Sequence, residues 1–240
     1  MYKEYFSYII EHKKNVFREC IELIKTMPKS KDYRKYKLMM LIHAFTHDLS
    51  KFLPNEFYPY AEYFYGYHGV KLEKEYNEEQ ITNGMSCVSR NYLECKKEFD
   101  KAWELHYKRN KHHPEYWNGK KISYIYILQM ICDLKAMSRK FGGTAQEYYL
   151  RNYNKWNLNR DSRYSLEINL DLISKYNAPI CEGTQEYWMT IKELIEYEEK
   201  YLESNIENSR YKNAESYIND LLKPACDKYK INIYQLIVNS

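Results

Sequence analysis

Glycine and proline are scarce in this chain. Its 240 residues contain only seven Gly and six Pro, well below the average usage of about 7% and about 5%. Sheets joined by tight turns need these residues at the turns, whereas helices exclude both from their interiors. A hydrophobic fraction of 44% is enough for a sizeable core. The composition therefore predicts an all-α fold and excludes a wholly disordered chain.

The sequence shows no segment that would direct it to a membrane. Its longest apolar stretch, 122–134, is interrupted by Ser123, Gln129 and Asp133 and is shorter than the ~20 residues of a spanning helix. The N-terminus carries charges where a signal peptide has an apolar block. Six cysteines without CxxC spacing indicate reduced thiols. We therefore expect a cytoplasmic protein without a membrane partner.

Charge and aromatic content limit the class of partner. The 28 tyrosines could offer stacking surfaces for single-stranded nucleic acid, but they are spread evenly and do not cluster with arginines. A net charge of +4 is too small to require a polyanion, so we do not expect a nucleic-acid partner. Residues 1–173 carry a net charge of +7 and residues 174–240 carry −3. This division suits a phosphate-bearing substrate in the N-terminal part.

Helical periodicity divides the chain into a series of helices. The helix over 32–52 is apolar nearly all round, which predicts a central place in the core. We predict one domain over residues 1–173 and a C-terminal helical extension over 174–240, which packs on that domain or forms a homodimer contact. A loop or short helix is predicted over 67–85, and a strand or helical turn at the end of the chain. The predicted helices cover 4–26, 32–52, 55–65, 89–110, 122–141, 145–156, 163–176, 185–204 and 211–229.

The histidines are clustered. Five of the seven fall in the runs HAFTHDLSK and ELHYKRNKHHPEYW. His47 and Asp48 are adjacent and Lys51 lies one turn later, so one side of a helix can present all three. An imidazole with a carboxylate suits Zn, Fe, Mn or Co. The dipeptide also occurs by chance, in which case Asp48 makes an ordinary hydrogen bond and Lys51 is solvated.

Two further polar residues lie on apolar stripes. Asp133 shares a helix face with Ile122 and Ala136, and a buried carboxylate without a cation is costly or takes up a proton. His12 lies between Ile9 and Val16 on the apolar stripe of the first helix, so it also needs a polar partner if it is buried. A metal ion is a sufficient partner for both. His43, one turn before His47, is either a ligand, a neighbour of the ligands or a core histidine.

In chain order, these residues resemble the two-metal branch of the HD superfamily of metal-dependent phosphohydrolases. HDLSK resembles the HDIGK motif of that branch, and HHPE resembles its HHE motif with one residue inserted. Ser50 replaces the glycine of HDIGK, and no Gly-Tyr-Pro signature of the cyclic-dinucleotide phosphodiesterases follows HHPE. Cyclic di-GMP is therefore not the expected substrate. The matching positions are His12, His47, Asp48, Lys51, His106, His112, His113, Glu115 and Asp133.

The resemblance implies an HD-like helical bundle that holds one or two divalent transition metals, with Mn, Fe, Co and Zn all acceptable. Two ions in such a centre clamp the attacking and leaving oxygens of a phosphoryl transfer. Asp48 would bridge the two ions. The implied ligands are His12, His47, Asp48 and Asp133 for the first ion, and Asp48, His106 and one or both of His112 and His113 for the second.

The same resemblance implies roles beside the metals. Lys51 would stabilise a non-bridging phosphate oxygen, and Glu115 would orient a ligating histidine or the reacting water. Arg109 and Lys111 flank the histidine pair and either meet a substrate phosphate or form a solvated helix face. Lys51, Asp48 and Glu115 are thus the predicted catalytic residues.

A denser resemblance covers nearly all of residues 1–173. The runs HDLSKFxxxEFxPYAEYFYG, AWELHYKRNKHHPEYW, MICDLKAMS and GGTAQEYYLRNYNK are similar to those of small bacterial and phage-associated proteins that form a family of unknown function. That resemblance carries no established activity. Residues 174–240 lie outside it.

Three functions are consistent with these residues. The first is hydrolysis of a phosphate ester, with a nucleotide or another small phosphorylated metabolite as the substrate. The second is a mixed-valent di-iron oxygenase of the HD type, which uses the same ligand types. The third is a non-catalytic module that binds a metal or a nucleotide. Iron content with an oxygen requirement separates the second from the first, and metal retention without turnover indicates the third.

Overall fold

A computed structural model describes residues 1–76, 81, 86–173 and 218–237 of the chain. These residues form helices and contain no strand, so the all-α prediction is confirmed for them. Short 3-10 turns cover Leu49–Phe52 and Tyr153–Lys155, and π-type turns cover Tyr67–Lys71 and Ile218–Leu222. The helices are α1 (Tyr2–Thr26), α2 (Lys31–Thr46), α3 (Pro54–Tyr65), α4 (Leu72–Glu75), α5 (Ser86–Arg109), α6 (Pro114–Trp117), α7 (Tyr124–Phe141), α8 (Ala145–Arg151), α9 (Arg160–Asn169), α10 (Lys223–Lys228) and α11 (Tyr234–Ile237).

Local sequence signals explain several helix ends. Helix α1 ends just before Pro28, which cannot continue the backbone hydrogen bonding. Helix α7 ends at Gly142, whose φ of +81° is accessible to glycine without a steric cost. Helix α8 begins with a capping box, in which the Thr144 hydroxyl accepts from the Glu147 amide and the Glu147 carboxylate accepts from the Thr144 amide. The predicted N-cap at Thr144 is confirmed.

Helix α7 occupies the centre of the fold. It packs against α1, α2, α8 and α9, and its buried side chains contribute to two of the hydrophobic clusters. Within α7, Ile127, Leu128 and Ile131 are almost completely buried. Along the face that Asp133 was predicted to share with Ile122 and Ala136, Ile122, Gln129 and Ala136 are buried, whereas Tyr126 and Asp133 are half-buried.

The prediction for α2 was wrong in two respects. The helix ends at Thr46 instead of residue 52, because Asp48 adopts a left-handed backbone with a φ of +53° and a 3-10 turn follows. It is also not central, because one of its apolar faces remains exposed. Periodicity shows how many faces of a helix are apolar, but the number of faces that are covered depends on the packing of other elements.

Helix α1 connects two separate hydrophobic clusters. Near its start, Tyr5 and Ile9 pack with residues of α3 and α5. Near its end, Val16 and Cys20 pack with residues of α2 and α7. His12 lies on the same buried stripe, between these two groups. The fold thus places His12 at the junction where α1, α2, α3, α5 and α7 come together.

The described C-terminal residues pack on α7 to α9. Ile218, Leu222 and Cys226 belong to the cluster that contains Ile127 and Leu166. The predicted helix over 185–204 lies outside the described residues, and the domain boundary after residue 173 stays a prediction. Cysteines are free at the four described positions, namely Cys20, Cys95, Cys132 and Cys226. Among the helices described, none is both long and apolar enough to cross a membrane.

Candidate metal centre

The first part of the site joins α1, the end of α2 and α7. His12 is 2% exposed, and its Nε2 lies 2.9 Å from Nε2 of His47. The same His12 atom lies 3.1 Å from Oδ1 of Asp133, which is 3.5 Å from Nε2 of His47. Two imidazoles and one carboxylate, from three helical segments, therefore point their donor atoms into one small volume.

A sharp turn after α2 presents His47 and Asp48. The His47 amide donates to the carbonyl of His43 at 2.7 Å and completes the helix. Lys13 of α1 donates to the carbonyl of His47 at 2.6 Å. Asp48 then leaves the helical conformation with its positive φ, a conformation that aspartate tolerates better than most residues. The two side chains are predicted on one side of a helix, but they lie at its C-terminal turn.

The carboxylate of Asp48 faces two sets of histidines, one with each oxygen. Its Oδ2 lies 3.4 Å from Nε2 of His47 and 3.7 Å from Nε2 of His12. Its Oδ1 lies 3.5 Å from Nε2 of His106 and 3.4 Å from Nε2 of His112. Asp48 is 1% exposed, so it is shared between two groups of donors in the interior.

The second part of the site comes from the end of α5 and the turn before α6. His106 is on the last turn of α5, and its Nε2 lies 3.0 Å from Nε2 of His113. His112 is buried, whereas His113 is half-buried and is the N-cap residue of α6. With Asp48, these three histidines form a group of donors close enough to hold a metal ion.

The donor set fits metal ions. Ligand atoms at about 2.1 Å from one ion and at right angles to each other are about 3 Å apart, close to the separations of 2.9 to 3.7 Å found here. Oδ1 of Asp48, Oδ1 of Asp133 and Nε2 of His112 are buried without a hydrogen-bond partner among the described residues. Leaving such atoms unpaired is costly, and a bound cation would satisfy them.

The charge states suit metal binding as well. Burial raises the pKa of Asp48, but the charges of His47 and Lys51 outweigh it and hold the pKa well below its usual value. Burial also raises the pKa of Asp133, but its close contacts with His12 and His47 outweigh burial and hold the pKa well below its usual value. Burial lowers the pKa of His47 to about 4. These groups are thus anionic carboxylates and a neutral imidazole near neutral pH, the forms that bind metals.

Lys51 forms an ion pair with the cluster. Its Nζ lies 2.6 Å from Oδ2 of Asp48, and its side chain is 12% exposed. Burial lowers the pKa of Lys51, but the Asp48 carboxylate raises it above its usual value. Lys51 therefore stays charged at the edge of the site.

Glu56 belongs to the site but is not among the metal ligands and catalytic residues predicted from the sequence. It lies in the first turn of α3 and is completely buried. Its Oε2 lies 2.9 Å from Nδ1 of His106, and its Oε1 accepts from Arg109 at 2.7 Å. The Ser50 hydroxyl donates to Oε2 at 2.9 Å. The available signal was the position of Glu56 in the run HDLSKFLPNEF, but its partner is 50 residues away in the sequence.

The structure does not bring every predicted residue to the cluster. Glu115 is exposed and makes no hydrogen bond with a histidine in the described part of the chain. Arg109 pairs with Glu56, and Lys111 lies over the rings of Tyr116 and Tyr126. The catalytic role of Glu115 and the substrate roles of Arg109 and Lys111 stay predictions.

His43 lies inside the site. It is 7% exposed, and its ring centroid is 5.0 Å from that of His47 and 5.4 Å from that of His112. Burial lowers its pKa to about 2, with additional contributions from these two histidines. Its Nε2 is among the buried nitrogens without a hydrogen-bond partner in the described residues. His43, His47 and His112 also form a group compatible with a metal ion.

Comparisons with known proteins identify a family. The model of the family of unknown function DUF5662 matches residues 1–175. The search of curated proteins and the search of solved structures gave no match. The match includes every residue of the cluster described above and most of the chain, so this protein belongs to the DUF5662 family.

Proposed function

We propose that this protein hydrolyses a phosphate ester of a nucleotide or another small phosphorylated metabolite, with two divalent metal ions bound in the cluster. One observation carries the proposal: the Asp48 carboxylate divides its two oxygens between two sets of imidazoles. A carboxylate shared in this way is typical of a bridging ligand in a two-metal site. The likeness of the motif order to that of the HD phosphohydrolases supports the same reaction class.

The chain supplies two distinct subsites. His12, His47 and Asp133 surround one side of Asp48, and His106, His112 and His113 surround the other. When bound, divalent ions at these subsites supply Lewis acidity and lower the pKa of water for hydrolysis. The buried, unpaired donor atoms support such binding because their protein environment leaves them without other partners.

Lys51 would act on both Asp48 and the substrate. Its contact with Oδ2 of Asp48 partly neutralises that carboxylate and holds the amine at the edge of the cluster. A phosphate that approaches this edge would meet the amine, which can donate to a non-bridging oxygen. The partial exposure of Lys51 supports this role, because its side chain is 12% exposed whereas that of Asp48 is 1% exposed.

The test begins with the metal content of the protein purified without added chelator. We expect about two equivalents of a transition metal in the wild type, and a sharp decrease in His47→Ala and Asp133→Ala variants. His68→Ala is a matched control, because His68 lies on the π-type turn after α3, outside all three candidate ligand groups. A wild-type protein that neither contains nor takes up Mn, Fe, Co or Zn would overturn the proposal.

Activity measurements then separate the reaction classes. Release of phosphate from nucleotides or sugar phosphates in anaerobic buffer with Mn or Co supports hydrolysis. Bound iron with oxygen-dependent turnover would instead assign the cluster to an oxygenase. Tight metal binding without turnover on a broad panel of phosphate esters would indicate a binding module.

A further inference from the structure

Helix α2 exposes a stripe that combines apolar and basic residues. Leu38, Leu41, Ile42 and Phe45 follow a spacing of three, one and three residues, which places them on one helix face, and they are 58%, 38%, 52% and 61% exposed. Lys31, Arg34 and Lys35 continue the same face toward the start of the helix and are also exposed. We call these seven residues the α2 stripe.

The α2 stripe has the properties of a docking surface. The opposite face of α2 packs in the core, where Tyr33, Met40 and Ala44 are buried. A helix that is apolar on both sides is normally covered on both, and adjacent exposed apolar residues mark interaction sites. Within the described residues, Lys31, Arg34 and Lys35 have no ion-pair partner. An occupant that fits this surface is apolar at one end and acidic at the other.

The segment 185–203 of the same chain has this pattern. Trp188, Ile191 and Ile195 lie at helical spacing, and Glu199 and Glu203 follow one turn apart toward its end. The segment holds six Glu and two Lys. It lies between residues 173 and 218, outside the described part of the chain, and the family match ends at residue 175.

We propose that residues 185–203 dock as an amphipathic helix, antiparallel to α2, on the α2 stripe. One antiparallel alignment, with a one-residue offset at its last pair, matches the apolar and charged residues of the two segments. It pairs the apolar ends with each other and the charged ends with opposite charges. The pairs are Phe45 with Trp188, Ile42 with Ile191, Leu38 with Ile195, Arg34 with Glu199, and Lys31 with Glu203.

Chain length and charge favour this occupant. Ile173 is the last described residue before the segment, and the 11 residues of 174–184 can span about 40 Å when extended. A parallel orientation would place the glutamates beside Leu38 and Phe45 and leave the three cations unpaired. A second copy of α2 fits the stripe less well. In a parallel orientation its basic residues would lie against those of the first copy. In an antiparallel orientation its basic residues would lie against the apolar residues of the first copy.

Disulfide trapping in the full-length chain tests the proposal. Leu38→Cys with Ile195→Cys joins two positions that the register places in contact. Leu93→Cys with Ile195→Cys is the control, because Leu93 is similarly exposed but lies on α5. We expect an intramolecular disulfide at least tenfold faster in the first pair, identified by mass spectrometry of the linked peptides. Ile42→Cys with Ile191→Cys provides a second pair if the first variant does not fold.

Charge reversal provides an independent readout. Arg34→Glu with Lys35→Glu should slow the trapping, and adding Glu198→Lys with Glu199→Lys, the positions opposite them in the register, should restore it. Equal rates in the test and control pairs would overturn the proposal. A disulfide that forms only between two chains would also overturn it, since the segment would then act in an oligomer. The α2 stripe faces away from the buried His43 side, so metal content serves as a control that is expected to stay unchanged.

Discussion

Glu56 and His106 form a buried carboxylate–imidazole pair behind the candidate metal centre. Oε2 of Glu56 lies 2.9 Å from Nδ1 of His106, while Nε2 of His106 faces Oδ1 of Asp48 at 3.5 Å. One ring nitrogen is therefore held by Glu56 and the other is directed at the cluster. Such pairs set the tautomer and orientation of a ligating histidine. Arg109 and Ser50 hold Glu56 in turn.

Replacing Glu56 should weaken the metal subsite that contains His106. In Glu56→Gln, an amide replaces the carboxylate that fixes the imidazole, so we expect metal affinity at this subsite to fall about 10- to 100-fold. Calorimetric titration of metal-free protein with Mn or Zn measures the change. Glu104→Gln, an exposed substitution on the same helix, should leave both affinities unaltered. An unchanged titration for Glu56→Gln would contradict the assigned role.

Replacing Asp48 should remove more bound metal than replacing Asp133. Asp48 faces both sets of histidines, so Asp48→Asn should lower bound metal from about two equivalents to less than one. Asp133 faces only His12 and His47, so Asp133→Asn should retain about one equivalent, held by the other set. Elemental analysis of the purified variants gives both values. Equal losses in the two variants would show that Asp48 does not bridge two subsites.

Removing Lys51 should destabilise the metal-free protein more than the metal-bound protein. Lys51→Met leaves the buried Asp48 charge without its 2.6 Å partner, and breaking a buried pair costs about 3–5 kcal/mol. Bound metal would offset part of this loss by neutralising the same carboxylate. Denaturant unfolding with and without Mn measures both values. Lys108→Met removes an exposed ion pair and should change the free energy of unfolding little. If Mn stabilised the Lys51→Met and Lys108→Met variants equally, the prediction would be contradicted.

Buried tyrosines should make the fold sensitive to alkali. Burial raises the pKa of Tyr5, Tyr60 and Tyr149 above 10.0. Because the folded-state pKa lies above the unfolded value, these neutral phenols stabilise the fold below pH 10, and the contribution is lost as the pH rises above it. Absorbance of the phenolate after a pH jump should show one fast group of exposed tyrosines and one group that ionises only on unfolding.

A variant checks the assignment of the slow group. Tyr149→Phe removes one buried phenol, whose hydroxyl donates to Glu167 at 2.5 Å. The slow amplitude should then decrease by the equivalent of one tyrosine. Ionisation of all tyrosines in a single fast phase, with the protein still folded, would mean that burial does not protect them.

The polar residues on apolar stripes were the most informative part of the sequence. His12 and Asp133 were predicted to need a partner because each interrupts a core-facing stripe, and the structure places them 3.1 Å apart. Glu56 was not predicted as a metal-site residue, because no pattern within its own helix distinguishes it from other polar residues. Its importance comes from contacts with His106 and Arg109, which local periodicity does not report.

The sequence by itself determined the helical class, most helix positions and the set of candidate donor atoms. These features depend on interactions within a few residues, such as the stop before Pro28, the turn at Gly142 and the cap at Thr144. Only the tertiary structure decided that α7 is central, that α2 keeps an exposed stripe, and which histidines face each oxygen of Asp48. Those properties depend on how α1, α2, α5 and α7 pack together, because donor atoms from distant parts of the chain meet only after the helices have assembled.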